Sequence, residues 1–360
     1  MYIGIPKESR PFEYRVGFSP AGVEILTQHG HQVFIEHEAG LVAGFSDQDY
    51  EKVGARLAYS PEEVFARADL VLKISRPLKG EIEWMQDGAA IAGFLHLASS
   101  SQDQIDLLLS KKITSLAYEQ ISDEAGGLPV LRPFSLMSGA MLAQISARML
   151  QNNCGGKGIS LSGLPGVPPA EVVIIGGGVV GSSAARYLVA AGAHVTVIDK
   201  SMTTLEKIAN NFPGVVTLLS TKRNIERAAA YADVLIGAVL VSGQRAPVVV
   251  TREMVRGMKP RSVIIDVSID QGGCVETSRP TTHEHPSYIE EGMVHYCVPN
   301  ISSVVARSAS HVLVNSALPY ILELTNRGIE NAMSNPYIQA AINTHNGKML
   351  NLVRLSPKEA

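Results

Sequence analysis

The run VVIIGGGVVGSSAARYLVAAGAHVTVID, residues 172–199, constrains the fold more than any other stretch. An apolar strand leads straight into Gly176, Gly178 and Gly181, spaced as G-x-G-x-x-G, and then into a helix-forming segment. Gly176 suits a tight turn, Gly178 lets a pyrophosphate approach the backbone, and Gly181 lets helix and strand pack closely. The start of the helix then receives the phosphates. Asp199 lies 21 residues beyond Gly178, at the end of the next strand. A carboxylate there accepts hydrogen bonds from ribose hydroxyls and repels a 2′-phosphate, which favours NAD over NADP. Strand, helix, second strand and terminal acid in this order predict a Rossmann unit that binds NAD; the competing reading is a glycine-rich turn in a doubly wound fold that binds nothing.

At 360 residues the chain exceeds one ordinary core, so two domains are expected. Hydrophobic residues make up 46%, charged residues 18%, and the formal net charge is -3, a balance with no electrostatic attraction for nucleic acid or an anionic membrane. Small molecules and further copies of the chain are the expected partners. The opening MYIGIPKESR carries Lys7, Glu8 and Arg10, which breaks any secretory h-region and points to a cytoplasmic location. The longest apolar stretch is interrupted by its glycines and Arg186, so it does not read as a membrane span. Three cysteines, Cys154, Cys274 and Cys297, form no C-x-x-C pair, which fits a reducing compartment and argues against a structural zinc site. His283 and His285 in THEHP lack carboxylate or cysteine support, so no metal is expected.

Along the chain, YIGIP, QVFIEH, LVLKIS, AIAGFLHL and ITSLAYE read as strands, with amphipathic helices between them. Tyr118 and Glu119 at the end of the last read as packing and strand-end residues. A Gly- and Pro-rich connection, CGGKGISLSGLPGVPPAE, precedes a second series of strands at EVVIIGG, HVTVID, VVTLL, DVLIGAV and SVIIDVS. The tail beyond residue 305 returns to a helical pattern. The fold class is therefore α/β, with two doubly wound Rossmann-like domains built on mostly parallel sheets.

The segments GIPKE, RVGFSPAGV, FLHLA, LAYE, LPGVPPAEVVIIGGGVVG, DVLIGAVLV, DQGGCVETSRPTTHEHP and HYCVPN resemble, in the same order, the alanine dehydrogenase family, which is related to the nucleotide-binding subunit of pyridine nucleotide transhydrogenase. The resemblance spans nearly the whole chain. It implies a substrate domain split between residues 1–130 and 305–360, an NAD-binding domain inserted at 131–304, and a homohexamer. The implied reaction is the reversible oxidative deamination of L-alanine to pyruvate and ammonium.

By the same resemblance Arg15 holds the substrate carboxylate, a task suited to a planar, permanently charged fork. His96 handles the proton, a task for which imidazole is the usual side chain. Asp270 orients water or the amine. Ser135, Ser220, Val239, Leu240, Arg279 and Asn300 join the glycines and Asp199 around the dinucleotide. The loop after IGAVLV has its own reason to lie there, because a strand end at the switch point covers a dinucleotide.

Three positions depart from the family pattern. Ser75 stands where a lysine is typical, followed by Arg76 where an acid is typical, and Phe134 stands where a pocket methionine is common. Loss of an ammonium beside a developing charge typically costs about 100-fold to 1,000-fold in rate. Lys73, on the same strand face as Ser75, and Arg76 are the candidates to replace it. The departures also leave open an opine-type or imine reductase acting on a 2-oxo acid and a larger amine, or a non-catalytic dinucleotide-binding protein.

Overall fold

The computed structural model describes residues 1–241 and 245–353. The chain divides into two compact units, one formed by 1–134 with 303–360 and the other by 135–302. The first segment carries strands β1 (Tyr2–Ile5), β2 (Gln32–Glu36), β3 (Arg56–Ala58), β4 (Leu70–Ser75), β5 (Ala90–Phe94) and β6 (Thr114–Ala117). The insert carries β7 (Glu171–Ile175), β8 (His194–Asp199), β9 (Val216–Leu219), β10 (Val234–Gly237), β11 (Val263–Asp266), β12 (Ser287–Glu290) and β13 (Met293–Tyr296), and the last segment adds β14 (Ile342–His345) and β15 (Lys348–Met349).

The first unit holds one sheet in the order β15-β14-β6-β5-β4-β1-β2-β3. Every pairing from β6 to β3 is parallel, and β14 joins β6 antiparallel. The chain winds outward from β1 to β3 on one side and from β4 to β6 on the other, so the switch point lies between β1 and β4. Such strands are covered by helices on both faces and therefore read as continuous apolar runs. β4 is buried at all six positions. Phe65, Val71, Ile82, Ile91, Leu95 and Ile105 belong to one core of this unit.

The second unit repeats the logic in the order β12-β13-β11-β10-β7-β8-β9, with its switch point between β7 and β10. Val173, Ile175, Ile198, Leu235 and Ile264 anchor its core under the helices Lys222–Tyr231 and Arg252–Arg256. In sheets of this kind ligands gather beyond the carboxyl ends of the strands at the switch point. Both units thus have a switch point of their own, at the ends of β1 and β4 and at the ends of β7 and β10.

The closing segment corrects one expectation. Beyond the 22-residue helix Ala306–Arg327, two short helices, Ile329–Ala332 and Pro336–Ala341, lead into β14 and β15, which extend the edge of the first sheet. β14 is only INTH, too short and too polar to show the alternation that marks a strand. The edge of β6, by pairing with it, makes it one.

Candidate active site

In the first unit the loop 13–18 is pressed onto β4. A Cβ on Gly17 would lie 2.2 Å from the Leu72 carbonyl oxygen, so only glycine permits the approach, and the Val16 N–H donates to Ser310 Oγ at 3.1 Å. This fixes Arg15, which is 5% exposed. Its Nε donates to Glu13 Oε1 at 2.6 Å and its Nη2 to Glu13 Oε2 at 2.5 Å, a bidentate fork. Ser75 Oγ donates to the same Oε2 at 2.9 Å. Arg15, Glu13 and Ser75 therefore form one network at the end of β4. Glu13 gave no signal in the sequence beyond its position two residues before Arg15.

An aromatic wall adjoins this network. The Arg15 guanidinium lies 5.7 Å from the centre of the Phe134 ring, and Phe134 meets Phe94 edge-on at 4.9 Å. Phe94 in turn stacks toward His96 at 6.4 Å and meets Tyr118 edge-on at 5.7 Å. The ring of His96 is 55% exposed, and its Nδ1 lies 3.6 Å from Glu119 Oε1. Glu119 Oε1 also accepts the His96 backbone N–H at 2.7 Å. Glu119 is thus more than the strand-end residue it resembled, because it turns one nitrogen of the imidazole inward. Arg76 reaches back to the same place, with Nη1 donating to the His96 carbonyl and to Ser99 Oγ, both at 3.2 Å.

Lys73 goes elsewhere. Its ammonium lies 3.3 Å from Glu8 and 3.1 Å from Glu81, its Nζ is 5.8 Å from the Phe65 ring centre, and the side chain is 1% exposed. Ser9 Oγ donates to Glu81 at 2.7 Å, and Glu8 Oε1 accepts the Ile74 N–H at 2.6 Å. Burial works against the ammonium, but the two carboxylates outweigh it and hold its pKa above the ordinary value. Glu8 shares that single cation, and burial pushes its own pKa up. Lys73 is therefore a buried structural cation. Strand alternation placed it on the face of Ser75, but the long stem lets two carboxylates brought by other segments claim it.

In the second unit Gly176 takes φ +102°, and a Cβ there would lie 2.3 Å from the Ala238 carbonyl oxygen, so the ends of β7 and β10 meet over glycine. Gly181 is equally confined, since its Cβ would fall 1.8 Å from the Gly176 carbonyl oxygen. Gly178 is the opposite case. It caps the helix Val179–Ala190, and a Cβ there would meet no atom within 4 Å. An open backbone in front of a helix N-terminus fits a pyrophosphate. Asp199 Oδ2 accepts the Gly177 N–H at 2.7 Å and Oδ1 accepts the Ser201 N–H at 2.8 Å, which ties the end of β8 to the glycine turn. The Ser220 N–H donates to the Asp199 carbonyl at 2.9 Å. The residues present thus suit a dinucleotide.

Asp270 is exposed on the turn Val267–Gln271. Asp266 shapes that turn, with Oδ1 accepting the Ser268 N–H at 3.0 Å and Oδ2 accepting the N–H groups of Cys274 at 2.9 Å and Val275 at 3.1 Å. Ser268 Oγ accepts the Val239 N–H at 3.0 Å and donates to its carbonyl at 2.8 Å, so the loop bearing Val239 and exposed Leu240 is fastened to the turn bearing Asp270. Sequence reasoning passed over Asp266 and Ser268, which act only through this folded loop. The Arg279 guanidinium lies 3.9 Å above the Tyr288 ring, whose hydroxyl accepts the Arg279 N–H at 2.8 Å. Tyr288 stacks in turn on His295 at 5.0 Å. Asn300 takes φ +52°, and Ser135 is half-buried in the helix Leu131–Met149. Among the described residues no group of three or more His, Cys, Asp or Glu could hold a metal, and no helix is long and apolar enough to cross a membrane.

Known proteins resemble the chain over nearly its whole length. The family model for the alanine dehydrogenase/PNT N-terminal domain matches residues 4–138, and that for the C-terminal domain matches 142–352. The chain is 44% identical to an alanine dehydrogenase of Halomonas elongata over 351 residues, 97% of this chain and 94% of that one. It is also 44% identical to an alanine dehydrogenase of Bacillus subtilis over 350 residues, 96% and 92% of the two chains. Among solved structures, an L-alanine dehydrogenase superposes with a TM-score of 0.93 at 42% identity, covering 97% of each chain. A transhydrogenase from Sinorhizobium meliloti follows at 0.84 and 25% identity, over 97% of this chain and 99% of that one.

Proposed function

Because the chain belongs to the alanine dehydrogenase/PNT family, we propose that it is an NAD-dependent amino-acid dehydrogenase that interconverts L-alanine with pyruvate and ammonium. The observation that carries this reading is the gathering, in the first unit, of a buried guanidinium and an exposed imidazole around one aromatic wall. Arg15 binds the substrate carboxylate, two of its five N–H groups being donated to Glu13. His96 exchanges its proton at Nε2, the nitrogen turned away from Glu119. In the oxidative direction it accepts the proton that water loses on adding to the imine carbon, and in the reductive direction it returns it. Asp270 orients water or the amine from its exposed turn.

The dinucleotide, whose nicotinamide accepts or delivers the hydride when bound, would be held by Gly176, Gly178, Gly181 and Asp199, with Ser135, Ser220, Val239, Leu240, Arg279 and Asn300. Asp199 would accept hydrogen bonds from the ribose and repel a 2′-phosphate. A homohexameric assembly and a cytoplasmic location belong to the same proposal.

The test is NADH oxidation by the purified protein with pyruvate and ammonium, beside a Ser75→Lys variant. Wild-type turnover should require both substrates. The variant, in which an ammonium replaces a neutral hydroxyl beside Glu13, should gain in kcat by up to about 100-fold. NADH binding without turnover of any 2-oxo acid would overturn the assignment. Turnover only with a bulky primary amine would transfer it to imine reduction, which Ser75 and Phe134 would then explain.

A further inference from the structure

His96, two residues beyond the end of β5, takes the left-handed conformation, at φ 43° and ψ 42°. Residues other than glycine are uncommon in that region, and those held there by their surroundings cluster at working sites. Here both ends of the residue are gripped. Its N–H is held by Glu119 Oε1 at 2.7 Å, and its carbonyl accepts from the Ser99 N–H at 3.1 Å, from Ser99 Oγ at 3.0 Å and from Arg76 Nη1 at 3.2 Å. Arg76 Nη1 also donates to Ser99 Oγ at 3.2 Å, so the three groups close a small ring of hydrogen bonds.

The base of Arg76 is fixed as well. Arg10 Nε donates to the Arg76 carbonyl at 2.9 Å, Glu8 Oε1 holds the N–H of Ile74 at 2.6 Å, and Pro77 restricts the backbone of Arg76. A guanidinium anchored in this way works as a brace. The acid that the resemblance leads one to expect at this position has no donor for the carbonyl.

We propose that Arg76 is a positioning residue that braces His96 in its left-handed conformation, so that its charge acts through the histidine rather than on the substrate. The inference rests on the proton-transfer role proposed for His96. A residue that acts through His96 alters the chemical step, whereas one that touches the substrate carboxylate alters binding. The two are told apart by steady-state kinetics of Arg76→Met and Arg76→Lys, together with a crystal structure of Arg76→Met. The methionine variant should lose kcat by about 10-fold, the worth of one charge-assisted hydrogen bond, with the KM for pyruvate within about twofold of wild type. The lysine variant, which keeps a charged donor, should recover most of the loss. In the crystal, His96 of the methionine variant should leave the left-handed region or its carbonyl should turn away. A KM raised 10-fold with kcat unchanged would overturn the proposal, and so would an unmoved His96. Should the wild type turn over no 2-oxo acid at all, the catalytic reading fails by itself, and the conformation of His96 in the variant still decides whether Arg76 is its brace.

Discussion

Replacing Lys73 with methionine separates a buried structural cation from a substrate ligand. The ammonium is 3.3 Å from Glu8 and 3.1 Å from Glu81, and the side chains of the three are 1%, 1% and 5% exposed. Methionine fills much the same volume, so the cavity term is small and the electrostatic term dominates. Removing one partner of a buried pair costs about 3–5 kcal/mol, because the remaining charges stay buried and uncompensated. For a unit of this size about 2–4 °C of Tm accompanies each kcal/mol, so the transition of the first unit should fall by roughly 6–20 °C in differential scanning calorimetry. The effect should depend on pH. Burial raises the folded-state pKa of Glu8 above the ordinary 4.5, so folding favours its protonated form. That contribution is full below 4.5 and is lost as pH rises through the raised value. Without Lys73, whose charge pulls the pKa of Glu8 down, the value rises further and the window widens upward. The deficit of the variant should therefore be smaller at about pH 5 than at about pH 8. A Tm within about 2 °C of wild type, coupled with a KM for pyruvate raised 10-fold, would refute the reasoning and return Lys73 to the substrate.

The second unit offers three further tests. Gly178→Ala adds a methyl where no atom lies within 4 Å, so Tm should hold while the Kd for NADH, read by fluorescence titration, rises about 10-fold or more. Gly181→Ala instead drives a Cβ to 1.8 Å from the Gly176 carbonyl oxygen and should lower the transition of this unit by at least about 5 °C; equal effects from the two would contradict the assignment. Asp199→Asn removes the charge proposed to repel a 2′-phosphate and should raise the NADPH-to-NADH ratio of kcat/KM by about 100-fold, and an unchanged ratio would place the selectivity elsewhere. Tyr288→Leu removes the ring 3.9 Å beneath Arg279 and should weaken NADH binding about 2-fold to 5-fold in the same titration, with no further loss in an Arg279→Ala background.

The parts of this protein that are legible in one dimension are those whose partners lie close by in the chain. The glycine turn and the following helix occupy Gly176 to Ala190, and Asp199 ends the very next strand, so pattern and spacing suffice. The alternation of apolar runs with amphipathic helices announced two parallel sheets for the same reason, since each βαβ step is local. β14 escaped because its strand character comes from pairing with β6 and not from its own residues. The polar end of β4 was harder still. LVLKISRP shows three polar side chains in a row of four positions, and nothing in that stretch says which of them meets a ligand. Glu8 and Glu81 claim Lys73, Glu13 claims Ser75, and the carbonyl of His96 claims Arg76. The sequence by itself determined the fold class and the dinucleotide turn; the roles of Lys73, Ser75 and Arg76 were decided only in three dimensions, because hydrogen bonds and buried charges are settled by the nearest available partner and most of those partners come from other segments of the chain.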